Sequence, residues 1–562
     1  MKSSTSLPGD VSMAQVDHLP IAAAFCHRID LIKTVDRLVP TEMALGVGTI
    51  VQAMVLDTLS GRSPLYRLAE FFESRDAALL LGRDVPAEAF NDTTVARAMD
   101  AIFKAGAQAV FSGVAFQAAQ AFPLDLTHVH FDTTSVNVWG DYAACGRGAE
   151  LLDITYGKSK DHRPDLKQFV VQMLCVNGNV PILGGCADGN ASDKTLNKVL
   201  LARISEHMRK HGIGEGGFLY VADCAVVTEG NLDLIGGNRF VTRLPFSYAE
   251  AGRVVAEAVT ENVWELVGEL SETPGTAARP AAVYRVAEKT VTLYRQEYRA
   301  LVVHSSAHDH RRTKRLDRDI ESSEQAARDA LAPEARRKYL CRADAEAAAE
   351  TLRRGGTDLH RIEAVVEELV TYAPGRPPKD RPRKISARRY VIRGEIIAKP
   401  EPIERRRAEA GCFVLISNVP REGAQAMTAT ELQRAYKDQF GIERNFSFLK
   451  DPLIVNDIFL KKPERIEALG AILLIALLVS NLIEFVLRQH VKPPQTTLPG
   501  WDGKQTKKPT AFMMRTKFAG IIVVRAGNQR SFGRPLNPVQ TRYLDALGVS
   551  PHEFLWPFGG SA

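Results

Sequence analysis

Along the first 120 residues the apolar positions recur every three to four, the period of a helix. Residues 46–59 and 63–72 follow this spacing, and Ser63-Pro64 supplies a cap with proline in the first turn. Asn91-Asp92 caps a helix predicted to run on toward Phe122. After Pro123 the period falls to two. Residues 126–132 (LTHVHFD) alternate, 135–139 (SVNVW) continue in the same style, and 169–176 (FVVQMLCV) form a third apolar run. Asn177-Gly178 then signals a hairpin into residues 180–183. A helix over 193–211 follows its cap Ser192, and strands are predicted at 218–222 and 239–243. Three hairpin-linked strands, a helix and further strands predict a mixed sheet flanked by helices.

Between Pro245 and about Pro420 the pattern is interrupted. Short strand-like pieces lead into a charged, alanine-rich stretch over 309–372 that reads as helical, then a proline- and arginine-rich segment, and FVLIS at 413–417 returns to strand. Residues 430–450 and 463–490 read as helices, and the chain after Lys492 is basic and punctuated by proline and glycine. The predicted organisation is a helical domain over 1–122, a core in two parts (123–244 and 421–491), an insertion over 245–420, and a basic tail over 492–562. Residues 468–483 carry no charge, but 16 residues fall short of the roughly 18–20 that span a bilayer, so they read as a buried core helix. No membrane association is expected, and the first twenty residues lack the apolar run and cleavage site of a leader.

Composition narrows the class without naming it. Hydrophobic residues at 45% and charged residues at 25% exclude wholesale disorder and fibrous architectures. The net charge of +6 is mild, so any affinity for nucleic acid must come from local clustering. Clustering exists. Residues 376–407 hold twelve Lys or Arg against four acids, and residues 488–542 hold eleven against Asp502 alone. The second run also carries Trp501, Phe512, Phe518 and Phe532, a combination expected of a DNA-binding surface. Seven scattered cysteines, never spaced CxxC, argue against a disulfide framework and a thiolate zinc site and suit a reducing compartment.

Three acids stand where a metal site is readily assembled: Asp132 at the end of one predicted strand, Asp223 after another, and Glu443 on a helix. Oxygen-only ligands suit Mg²⁺ or Mn²⁺, and two such ions can clamp the attacking and leaving oxygens of a phosphodiester displacement. Lys158, Lys160, His162, Arg163 and Lys167 crowd one short segment and suit a phosphate track, tempered by Asp161 and Asp165. His128 and His130 share the face of Asp132 and read as buried or hydrogen-bonded histidines rather than ligands. Trp264, in a segment that reads as an amphipathic helix, is taken as core packing.

Tyr436, Gln439, Glu443 and Lys450 follow the spacing Y-x2-R-x3-E-x6-K, with glutamine in place of arginine. Ahead of them stand FDTTSVNVWGDY (131–142), YGKSKDHRPDLKQF (156–169), GNASDKTL (189–196) and YVADCAVVTEGNL (220–232). With these ordered blocks the chain resembles bacterial insertion-sequence transposases of the DDE type. The resemblance implies an RNase H-like α/β core interrupted by an insertion, with a helical, DNA-binding N-terminal domain. It implies two Mg²⁺ or Mn²⁺ ions held by Asp132, Asp223 and Glu443, and DNA contacts from Lys450 and Tyr436. Gln439 in place of arginine removes a charge contact to phosphate. The implied partners are the terminal inverted repeats of an element and target DNA, handled by a dimer in the synaptic complex. The implied setting is a bacterial cytoplasm, at the nucleoid when DNA is bound. Two other readings are a transposase-derived protein that binds DNA without cutting it, and an unrelated metal-dependent nuclease on the same core.

Overall fold

The computed structural model describes residues 11–61, 67–140, 142, 151–177, 179–270, 275–276, 280–376, 382–451, 460–527 and 529–557. They form two compact units, Met1–Thr242 with Ala435–Ala562, and Arg243–Arg434. Both are mixed α/β.

The first unit begins with β1 (Val11–Gln15) and seven helices: α1 (Leu19–Arg28), α2 (Leu31–Leu38), α3 (Val47–Gly61), α4 (Leu68–Glu73), α5 (Ala77–Leu81), α6 (Asp92–Ala105) and α7 (Ala107–Ala121). Helix α3 is buried along nearly its whole length, so its polar side chains need partners. Gln52 Nε2 donates to the Leu80 carbonyl, and Thr58 Oγ1 to that of Met54. Asn91 caps as expected, its Oδ1 accepting from Thr94 N at 3.0 Å. The single helix predicted from there is two, because Gly106 at φ +87° leaves the helical region. Ser63-Pro64 lies outside the described residues.

Next come β2 (His128–Val138), β3 (Lys167–Val176), β4 (Val180–Ala187), α8 (Asp193–Lys210), β5 (Leu219–Ala222), α9 (Glu229–Ile235) and β6 (Arg239–Leu244). The strand expected to end at Asp132 runs on to Val138, with Thr133, Thr134 and Ser135 buried. Strand order is β4-β3-β2-β5-β6. β3 is antiparallel to both its neighbours, whereas β5 is parallel to β2 and to β6. Asn177 turns the β3–β4 hairpin in the left-handed region (φ +49°) that asparagine tolerates. Ser192 caps α8 through Thr195 N.

The second unit holds α10 (Ala249–Glu261), β7 (Glu265–Glu269), β8 (Val283–Leu293), β9 (Gln296–Ser305), α11 (Ser306–Arg336), α12 (Arg342–Arg354), β10 (His360–Tyr372), β11 (Ile385–Ala398), α13 (Pro400–Glu409) and β12 (Cys412–Ser417). α14 (Ala429–Lys437) begins here and ends in the first unit. Strands β12-β9-β8-β7 are antiparallel, and β10 pairs with β11 alone. The helix predicted to reach Tyr372 gives way to β10, where His360, Ile362 and Ala364 are buried and Arg361 and Glu363 exposed, a period of two. Trp264 is not helical either. α10 ends at Glu261, Asn262 turns at φ +50°, and the indole packs under the Arg285 guanidinium at 4.8 Å. The basic run 376–407 is partly matched by acids: Arg388 pairs with Glu368, Arg393 with Glu367, Arg406 with Asp358 and Arg407 with Asp317. Such solvated pairs stabilise little, but they reduce the local excess of positive charge.

The chain completes the first unit with α15 (Phe440–Lys450), α16 (Pro463–His490), β13 (Leu498–Pro499), β14 (Gln505–Thr506), α17 (Ala511–Lys517), β15 (Ile522–Ala526), β16 (Gln529–Phe532) and α18 (Pro538–Leu547). The helix predicted over 430–450 is split. At the junction Gln439 N bonds Tyr436 O and Ile442 N bonds Gln439 O, a tightened three-residue turn. Helix α16, at 28 residues, is long and apolar enough to cross a membrane, yet 89% of its apolar window is buried. It packs among α3, α6, α7 and β4. Arg465 fixes it to α6 by a bidentate pair with Asp100 at 2.8 and 2.9 Å. The basic C-terminal segment is folded: β15 pairs with both β1 and β16, and Phe518, Tyr543 and Phe554 are fully buried.

Candidate functional site

Register brings two of the three acids together. The last residue of β5, Ala222, pairs with Phe131 of the parallel strand β2. The next step along each strand is Asp223 and Asp132, on neighbouring backbones about 4.8 Å apart and on the same face. Both carboxylates are tethered. Asp132 Oδ1 accepts from Thr133 N at 2.7 Å, and Asp223 Oδ1 from Ala225 N at 3.0 Å. Thr242 of β6 donates to the Asp223 carbonyl, fixing the strand end from the other side.

Burial is the main force on both groups. It pushes the Asp132 carboxyl up to about 6 despite the Lys160 ammonium, with Asp223 and Asp193 adding to the rise. Asp223 is raised in the same way, by burial and then by Asp193. Asp193 was not singled out in the sequence, where its only signal is an acid in the first turn behind the cap Ser192. In the fold, its carboxylate accepts from Thr133 Oγ1. Lys160 Nζ lies 3.7 Å from both Asp132 and Asp193 and donates to the Thr133 carbonyl at 2.6 Å. Three aspartates and one lysine therefore share a pocket of charge, short of neutrality by two.

A raised carboxyl has a definite sign in stability. The protonated form of Asp132 is favoured by folding, so this contribution is present below the ordinary value of 3.8 and is lost as pH rises through about 6. Asp132→Asn should leave stability little changed at pH 3.5 and raise it by about 1–3 kcal/mol at pH 7.5, relative to the parent. Urea denaturation at the two pH values measures this. An equal difference at both would remove the carboxyl's titration as the cause.

Helix α15 is held against this sheet by a buried amide network. Asn445 Nδ2 donates to the Asn179 carbonyl at 2.7 Å, and Asn481 of α16 donates to the same carbonyl and to Asn445 Oδ1. Ile442, Asn445, Phe446 and Leu449 form the buried stripe of α15. Glu443 falls beside that stripe and is exposed. Among the described residues no three His, Cys, Asp or Glu side chains are grouped to hold one metal ion, so Glu443 is not joined to the aspartate pair. Lys450, at the end of α15, is closer to the site. Its Nζ pairs with Asp161 at 2.6 Å, and Asp161 also accepts from Asn137 of β2. Tyr436 is the penultimate residue of α14 and Gln439 caps α15, so the single helix predicted to carry Tyr436, Glu443 and Lys450 is broken between them.

The remaining basic residues divide. Lys158 and His162 are exposed. Arg163 is held by Asp165 at 2.7 Å with its guanidinium over Trp139, and Lys167 lies over the Tyr156 ring. His130 is buried with Nδ1 unpartnered, and burial together with His128 lowers it to about 4. As donors, Asp132 and Asp223 suit a hard divalent cation: oxygen-only, half-buried and mutually repelling, so a cation relieves what partial burial imposes.

Residues 11–116, from β1 into α7, match the family described as Domain of unknown function (DUF4277). No curated protein matches the chain.

Proposed function

We propose that the protein is a transposase of the DDE type that cuts DNA at the ends of its own element and joins those ends to target DNA. The observation that carries this reading is the half-buried pair of Asp132 in β2 and Asp223 just after β5, flanked by Lys160. The order β4-β3-β2-β5-β6, with only β3 antiparallel to the rest, supports an RNase H-like core. The matched N-terminal domain occurs in transposase-like proteins, which supports the same class.

In this reading Asp132 and Asp223 hold Mg²⁺ or Mn²⁺, and the bound ions supply stabilisation of charge on the attacking and leaving oxygens. The chain's own contribution is positioning. Tethered carboxylates on adjacent strands need no rearrangement on binding, which is the economy of a preorganised site. Lys450 and Lys160 meet phosphate oxygens, exchanging their present carboxylate partners for DNA. Water or a DNA 3′-hydroxyl attacks phosphorus and gives up its proton to solvent as the new P–O bond forms; the old P–O bond breaks, and its oxygen leaves as a strand end that takes a proton from solvent.

A second reading, a DNA-binding protein descended from such an enzyme, draws on one observation: Glu443 stands apart from the aspartates. One experiment separates the two. The full chain is incubated with DNA carrying the inverted repeats that flank its gene, with Mg²⁺, Mn²⁺ or EDTA. Metal-dependent cuts at the repeat ends support the transposase. End-specific binding without cutting in either metal supports the second reading and sinks the first.

A further inference from the structure

On the sheet face opposite Asp132, a cavity of about 880 Å³ opens between α7, α8 and strands β2 to β4. Its volume lies in the range of small-molecule sites, about 300–1,000 Å³. The floor is apolar, with Phe131, Leu174 and Leu200 buried and Leu183 half-buried. The mouth is of a different chemistry. Arg37 and Arg203 line it, both exposed and neither with a carboxylate partner among the described residues.

Two histidines complete the mouth. His207 and His211 lie one turn apart at the end of α8, rings 4.9 Å apart. His207 Nε2 and His211 Nδ1 are buried and have no hydrogen-bond partner. Buried polar atoms are nearly always satisfied, so two orphans on residues that line one cavity mark its wall as polar beneath the surface. Two imidazoles at this spacing suit a transition-metal ion in isolation. The surrounding charge decides otherwise. Arg37, Arg203 and Lys210 outnumber the single acid lining the cavity, Glu206, which is already paired with Lys210 at 3.3 Å. A cation is repelled there and an anion attracted.

We propose that this cavity binds a small amphipathic anion, an aliphatic or aromatic body on the apolar floor with a carboxylate or phosphate head at the mouth. Burial lowers His207 to about 4, so its ring is neutral at neutral pH and the charge complement comes from the arginines. The site is separate from the aspartate pair and does not depend on the activity assigned to it.

Calorimetric titration of the full chain with octanoate, octyl phosphate and 1-octanol tests the proposal. At least one anion should bind at a single site about tenfold more tightly than the alcohol, the worth of a charge-assisted hydrogen bond. Arg203→Ala should bring the anion down toward the alcohol while leaving the alcohol unchanged. Val199→Trp, at an exposed position on the cavity wall, should block both. Equal affinity for alcohol and anions would overturn the charged mouth. Anion binding untouched by both variants, or no binding by any of the three, would overturn the site.

Discussion

Asp223→Asn protein should bind element ends with undiminished affinity and leave them uncut. The substitution keeps the side chain's shape and its bond from Ala225 N, and removes one negative charge from a pair that burial already strains. Metal affinity falls because a neutral amide oxygen is a poorer partner for a hard cation than a carboxylate. DNA affinity resides in cations elsewhere and should not fall; one acid fewer beside Lys160 favours phosphate slightly. The expected loss in cleavage rate is about 10²–10³-fold or more, the cost of removing one preorganised electrostatic element. Gel-shift and cleavage assays on the same preparation read the two quantities. Equal loss of both would mean a folding defect, and retained cleavage would remove Asp223 from the chemistry. Asp193→Asn discriminates further. If Asp193 only tethers Thr133 and Lys160, its cleavage defect should be smaller than that of Asp223→Asn and should not respond to higher Mg²⁺.

Much of this site was legible in the sequence because strand chemistry is local. The alternation through His128–Val138 and the apolar run ending at Ala222 put Asp132 on a strand and Asp223 just after one, and a hairpin signal joined β3 to β4. The legible part stops where position depends on packing between distant segments. Whether Glu443 faces the sheet is decided by which stripe of α15 is buried. That stripe is set by Asn445 meeting Asn179 and Asn481, contacts across 266 and 36 residues of chain. Asp193 was hidden for the same reason. Its partner Thr133 lies 60 residues away, and a first-turn acid is ordinary helix chemistry. Charge counting over residues 488–542 does not separate roles: a run of eleven bases reads as a DNA surface, but several of those bases bond the chain itself. Arg515 donates to the Ser60 carbonyl, Lys517 to that of Gly500 and Arg542 to that of Thr497.

Arg530→Ala should unfold or severely destabilise the first unit, whereas Lys504→Ala with Arg534→Ala should leave it folded and weaken DNA binding. Arg530 and Asp76 form a bidentate pair at 2.6 and 3.0 Å, with side chains only 5% and 4% exposed. Asp76 also caps α5 through Leu79 N. Burial pushes the Asp76 carboxyl up, but Arg530, the Leu79 amide and Arg525 outweigh it, and the net shift is downward. A depressed carboxyl contributes stability above its ordinary value of 3.8 that is lost as pH falls through the folded value, so the pair holds at neutral pH and weakens in acid. Removing one partner leaves a buried charge unmatched, at a cost of about 3–5 kcal/mol, a large part of what holds a domain together. Lys504 and Arg534 are exposed and without partners among the described residues, and the same C-terminal segment exposes Trp501 (44%) and Phe512 (61%). Each DNA phosphate that these two side chains no longer neutralise should lower the slope of log K against log salt by about 0.9. Thermal melts and filter-binding across a salt series separate the two classes of arginine and lysine. A normal melt for Arg530→Ala would show that the pair is dispensable, and an unchanged salt slope for the double variant would move DNA binding away from these two residues.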